Sequence, residues 1–358
     1  PGDWSPVETL VGGIRVRRFR PRTEQNFARI EQILHPVQGT YWRVTSQTNE
    51  VTIYGRRAAN RIADPRDPSR IAEWLADFSY DDSGNWILFD WKAEDGAQMP
   101  ATVPERNRQN GKAPFANRYL KRVRYGNAVP HYPDAAQPYD PPLPPDQTHH
   151  FELVLDYGEH DPASPQPAET PGLVWDYRAD PTSTYRYGFE VRTARLCRRV
   201  LLFHNFPADG FANVLVRSLD LGYQPSDFND SGLAEVTYLA RVEAAGYLRR
   251  ADGTYAREAL PPVTMHYTPV DWDLTVRQAA PAALEGAPAG ATAPHQFLDL
   301  LREGAPGILA EAGDGWFYKA NHGRGPDNRP RFAPPRLVAR RPAVTGLASG
   351  QLSLEDID

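Results

Sequence analysis

The sequence predicts an all-β fold built around a large antiparallel β-sheet domain, and three observations carry that class. The run from Tyr185 to Pro207 alternates Phe189, Val191 and Thr193 with Glu190 and Arg192, then closes on the apolar tract Val200–Phe203. That is a period of two written in β-branched and aromatic side chains. Composition agrees, because 35 Pro and 27 Gly stand beside 17 Tyr and 8 Trp. Without a repeat period, such a mixture means many short elements joined by turns. Finally, period-two runs come in pairs separated by turn residues, while helical signals are few.

In chain order, Tyr41–Ser46 and Glu50–Gly55 flank the polar turn Gln47–Asn49, which is a hairpin signal. Trp74–Tyr80 and Trp86–Trp91 flank Asp81–Asn85, whose Gly84-Asn85 supplies the positive φ of a tight turn. A helix over Ser69–Leu75 competes here, since Asp67-Pro68 could cap it. The aromatic alternation at Trp74, Phe78 and Tyr80 favours a strand for the second half. Further strands are expected over Asn117–Tyr125, Phe151–Tyr157, Phe189–Phe203, Val214–Tyr223, Glu235–Ala244 and Val263–Tyr267. Three strands run into a Tyr-Gly step, at Tyr54-Gly55, Tyr125-Gly126 and Tyr157-Gly158, as a meandering sheet would.

Pro130–Pro145 and Pro162–Pro171 read as extended surface loops, since Pro cannot donate to a ladder. Ala279–Pro294 has the small-residue composition of a linker. The expected organisation is therefore a β domain over 1–278, a linker over 279–294 and a second unit over 295–358. In that last unit Phe297–Gly304 is echoed by Leu354–Asp358, with Asp299 matching Asp356. The offset is within reach of a propeller-blade period of about 40–50 residues.

The net charge is −5, so no basic excess exists to displace counterions and a nucleic-acid partner is not expected. No apolar run reaches the roughly 18 residues of a membrane span. The first residues, Pro1–Pro6, lack a basic and apolar leader and read as the middle of something longer. Cys197 is the sole cysteine, so no intrachain disulfide is expected.

Four constellations could carry chemistry. His149, His150, Glu152 and His160 are the one metal-like cluster. A polar loop entering a strand, with Glu152 facing solvent, accounts for them better than a zinc site of four tightly spaced ligands. Cys197 among arginines could have a lowered pKa and pair with His204, but nothing in sequence orients the histidine, and a half-buried strand position is the expectation. Arg192, Arg195, Arg198 and Arg199 could form a basic stripe. Alternation separates Arg192 and Arg198 from Arg195 and Arg199, so pairing with Glu190, Asp180 or other carboxylates across the sheet is expected instead. Thr182-Ser-Thr184 reads as turn residues after Pro181.

The run Tyr185–Pro207 resembles the signature "GFEVRT-RLCRRVLMFHHFP" of the SpvB/TcdB-type B components of bacterial toxin complexes. Phe19–Glu31, Ser69–Leu75, Asp82–Asn85, Lys92–Gly96, Asn117–Asn127, Asp156–Asp161, Leu215–Ser218, Leu260–Pro262 and Gly307–Lys319 resemble further family segments in the family's order. The resemblance implies an SpvB-like β domain, lacking its N-terminal part, followed by the first blade of an FG-GAP-type β-propeller that continues past Asp358. It implies a non-catalytic component of a secreted toxin complex, part of a β shell around a cytotoxic fragment. Its partners would be a pore-forming toxin component and an Rhs/YD-repeat component that carries the toxin. The alternative is the N-terminal carrier region of an SpvB-type ADP-ribosyltransferase. The sequence contains no Glu-x-Glu pair such a transferase uses, so no catalytic, cofactor or metal residue is assigned. The Asp299 loop departs from a calcium pattern, with Leu301 at the second acidic position and Arg302 beside it.

Overall fold

The computed structural model describes residues 8–23, 27–112, 114–145, 149–225, 236–267, 278–287, 295–313, 315–340, 346–347, 352 and 354. The chain divides into two compact units, Pro1–Pro269 and Val270–Asp358.

In the first unit, successive hairpins build one sheet. It opens with β1 (Glu8–Val11), β2 (Ile14–Phe19), β3 (Arg29–His35), β4 (Gly39–Thr45) and β5 (Val51–Tyr54). The β4–β5 pair is the hairpin expected around Gln47–Asn49, with Thr45 opposite Val51. A side hairpin follows, β6 (Arg61–Asp64) with β7 (Asp67–Trp74). The sheet resumes with β8 (Ala76–Tyr80), β9 (Trp86–Ala93), β10 (Arg118–Asn127) and β11 (His149–Asp156). A second excursion pairs β12 (Thr182–Thr184) with β13 (Val191–Thr193). Then come β14 (Arg199–Phe206), β15 (Phe211–Pro225), β16 (Thr237–Arg249), β17 (Tyr255–Ala259) and β18 (Val263–Thr264). The strand order is β1-β2-β3-β4-β5-β8-β9-β10-β11-β14-β15-β16-β17, with β18 also on β16, fourteen strands that pair antiparallel throughout.

The register places one row of side chains on a single face across nine strands: Glu31, Arg43, Ile53, Phe78, Leu88, Arg124, Glu152, Phe203 and Leu215. The row starts on the Glu31–Arg43 ion pair and changes character three times. Ile53, Phe78 and Leu88 belong to an apolar cluster with Val16, Ile33, Tyr41, Val51 and Trp86. Phe203 and Leu215 belong to another with Val154 and Leu201. Between them Arg124 bonds Asp90 at 2.9 Å and Arg122 bonds Glu152 at 2.8 Å. Each fully buried Ile, Leu or Phe in these clusters contributes about 1.5–3 kcal/mol.

One alternative is ruled out and three expectations need correction. Ser69–Leu75 does not hold a helix: Asp67–Trp74 is strand β7. The hairpin turn before β7 is fixed by Asp64, whose Oδ1 accepts the Arg66 amide at 2.9 Å, while Asp67 Oδ1 accepts from the Ser69 amide and hydroxyl, at 3.1 and 2.6 Å, inside the strand instead of capping a helix. Phe189–Phe203 is not one strand, because Ala194–Arg198 leaves the sheet between β13 and β14. There the Ala194 amide donates to the Tyr119 hydroxyl at 2.7 Å rather than to a neighbouring strand. Thr182–Thr184 is strand, not turn, with Ser183 opposite Arg192. Glu152 lies on a strand as expected, but its side chain is only 12% exposed rather than solvent-facing, and His149 and His150 already belong to that strand.

The second unit has a four-stranded antiparallel sheet ordered β19 (His295–Leu298), β20 (Gly307–Ala312), β21 (Gly315–Lys319) and β24 (Arg336–Leu337). A hairpin of β22 (Asn321–Arg324) and β23 (Pro330–Phe332) lies before the last strand. Its core is Leu309, Trp316, Tyr318, Ala320 and Leu347. Pro281–Leu284, inside the expected linker, forms a 3-10 turn; residues 288–294 of that linker lie outside the described residues. Asp356, the second half of the expected repeat, also lies outside them.

Candidate functional site

Beside β9 and β10 run two long connections, residues 94–117 (113 lying outside the described residues) and 157–198, the second with little regular structure beyond the β12–β13 pair. What keeps them down is a set of buried ion pairs, and the signature run supplies most of the cations.

Arg195 has a fully buried side chain. Its Nε bonds Glu94 Oε2 at 2.9 Å, a second guanidinium nitrogen bonds Glu94 Oε1, and Nη1 donates to the Trp175 carbonyl at 2.9 Å. The guanidinium also lies 4.3 Å from the Trp175 ring centroid. Glu94 is held in turn by the amides of Asp95 and Gly96, at 3.1 and 2.8 Å. Arg192, on β13, pairs with Glu105 and donates to Ser183 Oγ at 2.7 Å and to the Tyr177 hydroxyl at 3.2 Å. Glu105 also takes Arg108 at 2.8 Å, and Arg108 reaches Glu190, which accepts from Ser183 and Tyr185 at 2.6 and 3.0 Å. The chain of charges thus closes on itself.

Arg199 opens β14 and pairs with Asp156 at 2.6 Å. Asp156 Oδ1 accepts the Gly158 amide at 2.8 Å, which fixes the turn of the Tyr157-Gly158 step. Arg198 points outward and meets Asp176 at 2.7 Å, both well exposed, a pair worth little. The four arginines therefore form no common stripe, and each meets a carboxylate, as expected. The partners differ from those expected: Glu190 takes Arg108 and Asp180 takes Arg178. They lie on loops more than on neighbouring strands because the strand breaks at Ala194.

Lys121 is the cation sequence reasoning missed. It sits on β10 between Tyr119 and Val123 on the inward side of the alternation, and a lysine in such a position was the available signal. Its ammonium bonds the Leu155 carbonyl at 3.0 Å, Glu159 Oε1 at 2.5 Å and His160 Nε2 at 2.7 Å. Burial pushes its pKa down, opposed by Glu159. Glu94 and Glu105 were missed too: each follows a strand or precedes a single helical turn and carries no spacing that marks it.

The candidate metal residues are scattered by this frame. His149 packs edge-on to Trp86 at 4.3 Å between centroids, and His150 stacks on Phe206 at 4.6 Å. Glu152 pairs with Arg122, and burial raises its pKa. His160 sits with Lys121. Among the described residues no three His, Cys, Asp or Glu side chains are grouped to hold a metal ion. Asp299 spends both carboxylate oxygens on its own loop, accepting the Glu303 and Gly304 amides at 3.0 and 2.6 Å.

Cys197 lies in the break between β13 and β14, half-buried, not on a strand. Burial raises its pKa to about 11, with Asp156 adding to the rise, so the half-buried placement that was expected holds while the strand does not, and the flanking arginines do not lower the thiol. Those arginines are turned to carboxylates of their own, and the thiol donates to the Arg199 carbonyl at 3.4 Å. His204 lies on β14 and meets Phe151 at 5.2 Å between ring centroids, not the thiol. Chemically, the arrangement clamps loops to a sheet.

Among the described residues no helix is long and apolar enough to cross a membrane. Comparison with known proteins places the sequence. The family described as "Salmonella virulence plasmid 65kDa B protein", SpvB, matches residues 4–206. The mono(ADP-ribosyl)transferase SpvB of Salmonella typhimurium is 38% identical over 239 residues, 65% of this chain and 39% of the relative. The SpvB of Salmonella enteritidis is 39% identical over 213 residues, 58% of this chain and 34% of the relative. The chain thus spans about two fifths or less of these relatives' length.

Among solved structures, the N-terminal domain of the effector SpvB from Salmonella typhimurium strain LT2 matches with a TM-score of 0.56 and 33% identity, over 68% of this chain and 75% of that one. The TcdB2-TccC3-Cdc42 structure matches 95% of this chain with a TM-score of 0.73 and 28% identity, using 16% of that chain. The Photorhabdus luminescens Tc holotoxin pore gives 0.71 and 26%, with the same coverage. The matched segment of the SpvB relatives is their N-terminal region, and the toxin-complex likeness runs nearly end to end. With the family model covering more than half of its length, the chain belongs to the SpvB family, as an SpvB/TcdB-like fragment.

Proposed function

We propose that this chain is a non-catalytic structural segment of a secreted bacterial toxin complex, forming part of the β shell that encloses and delivers a cytotoxic fragment. The observation that supports it most is the likeness of 95% of the chain to TcdB2-TccC3, across both compact units. The fold suits the task. A fourteen-stranded antiparallel meander, its long loops pinned by buried ion pairs, offers wall area rather than a cleft. Residues 279–294 act as the linker on this reading. The four-stranded sheet of the second unit is the first blade of a β-propeller, an architecture built from four-stranded blades. The partners are a pore-forming toxin component and an Rhs/YD-repeat component that carries the toxin, and the assembly acts outside the cell.

The test is co-purification of the full-length gene product with those two components. A complex that survives size exclusion supports the shell role. A product that binds neither component refutes it.

A second reading has its own support, the 38% identity to a mono(ADP-ribosyl)transferase. There the chain would be the carrier region ahead of a catalytic module. Sequence of the encoding locus beyond Asp358 separates the two. Long Tyr-Asp repeats favour the shell, and an Arg, Ser-Thr-Ser, Glu-x-Glu module after a short linker favours the transferase.

A further inference from the structure

Lys121 has three ammonium protons and three acceptors, and the third, His160 Nε2 at 2.7 Å, exists only while that histidine is neutral. The tautomer is fixed from the other side. His160 Nδ1 lies 3.0 Å from the Gln166 carbonyl, which can only accept, so the ring proton sits on Nδ1. The backbone of His160 is committed as well. Its amide donates to Asp156 Oδ1 at 3.3 Å and its carbonyl accepts from Arg199 at 3.1 Å. The residue is 2% exposed, so a second ring proton would meet an ammonium rather than water.

No nearby carboxylate is spare to neutralise it. Glu159, from the same segment, is shared by Lys121 at 2.5 Å, by Lys92 of β9 at 3.9 Å and by the Tyr157 amide at 2.8 Å. Asp156, at the end of β11, is taken by Arg199 of β14 at 2.6 Å and by the Gly158 amide. Glu169 is paired with Lys92 at 2.7 Å, and Asp161 accepts the Ala163 and Ser164 amides. Burial first, and Lys121 next, hold the His160 pKa below that of an ordinary histidine.

We propose that Lys121 and His160 form an acid-opened clasp: a proton on His160 Nε2 expels the imidazole from Lys121 and frees residues 157–171 from the sheet. The sign follows from the neutral native form. The clasp holds fully above the ordinary histidine range, weakens as pH falls below about 6.5, and loses no more once pH is below the value in the folded protein. At about pH 5 the opening equilibrium rises by up to about 30-fold, the proton-linkage ratio for 1.5 units below the free value.

Hydrogen exchange of the full chain at about pH 7.5 and 5, with times scaled for intrinsic amide chemistry, reads this directly. Peptides over 157–171 are expected to open more at acid pH by that factor, while peptides from the β4–β5 hairpin stay unchanged. His160→Gln keeps an acceptor for Lys121 and a donor for Gln166 but cannot titrate, so its profile should be flat. Should H160Q not fold, the His160 ring signals of the wild-type chain serve instead, and the exchange rise must follow their titration. Exchange over 157–171 that is independent of pH, or that rises equally in H160Q, or that fails to track the ring titration, overturns the proposal.

Discussion

Removing one side of the Arg195–Glu94 pair should expose how much the frame depends on closed charge. Both side chains are fully buried. Arg195→Met keeps roughly the same volume and stem but deletes the two contacts to Glu94, the bond to the Trp175 carbonyl at 2.9 Å and the stacking over Trp175 at 4.3 Å. Glu94 then stays buried with only the Asp95 and Gly96 amides to hold its charge. Breaking a buried pair from one side costs about 3–5 kcal/mol, largely the desolvated charge left behind. Neutralising that charge as well should recover part of the loss, so Arg195→Met with Glu94→Gln is expected to cost at least about 1 kcal/mol less than the sum of the single changes. Urea unfolding of the four proteins of the cycle gives the coupling, and hydrogen exchange over residues 175–198 shows where it acts. A single Arg195→Met costing under about 1 kcal/mol, or strictly additive changes, would refute the buried-pair reasoning, since both require an uncompensated charge that the structure tolerates.

Other predictions rest on different parts of the fold. Cys197, with its pKa raised to about 11, is mostly thiol at neutral pH; its alkylation should be slow in the native chain and fast in urea, and native labelling at the rate of a free thiol would contradict that placement. Phe203→Ala should cost about 3–5 kcal/mol, as the side chain is fully buried in the second apolar cluster. Phe211→Ala, 55% exposed, should stay within about 0.5 kcal/mol, so equal effects in denaturant titration would mean the register is wrong. Gly55 has φ +64, and a Cβ there would stand 2.6 Å from Trp74 Cδ1. Trp74 cannot readily yield, since its Nε1 bonds the Thr40 carbonyl at 2.8 Å and its ring meets Trp42. Gly55→Ala should therefore cost about 2–5 kcal/mol by backbone strain and overpacking, and a thermal midpoint matching wild type would count against it.

The sheet was largely legible because its grammar is local. The pair Tyr80–Trp86 and the turn at Gly84, with φ +83, stand where alternation and turn chemistry put them. Gly55, Gly126 and Gly158 all take positive φ, and two of the three Tyr-Gly steps stand at a strand end, whereas β10 runs on through Gly126 to Asn127. What failed depends on distant partners. Arg195 interrupts a period-two run because its carboxylate lies 101 residues earlier, and nothing in the alternation reveals that. Ser69–Leu75 misleads because an Asp before a Pro signals a helix cap or a hairpin turn equally well. The pairing of signature arginines with carboxylates was readable from charge alone. The identity of the carboxylates, and the role of Lys121, required the fold.

The central claim is that this chain is wall rather than catalyst, and one measurement addresses it most directly. Residues 1–358 would replace the matching segment of TcdB2-TccC3, and the C-terminal region that the proposed shell would enclose would be challenged with protease in parent and chimera. The account predicts that the chimera assembles and shields that region as the parent does. A chimera that folds, assembles and leaves the region open to cleavage would contradict it.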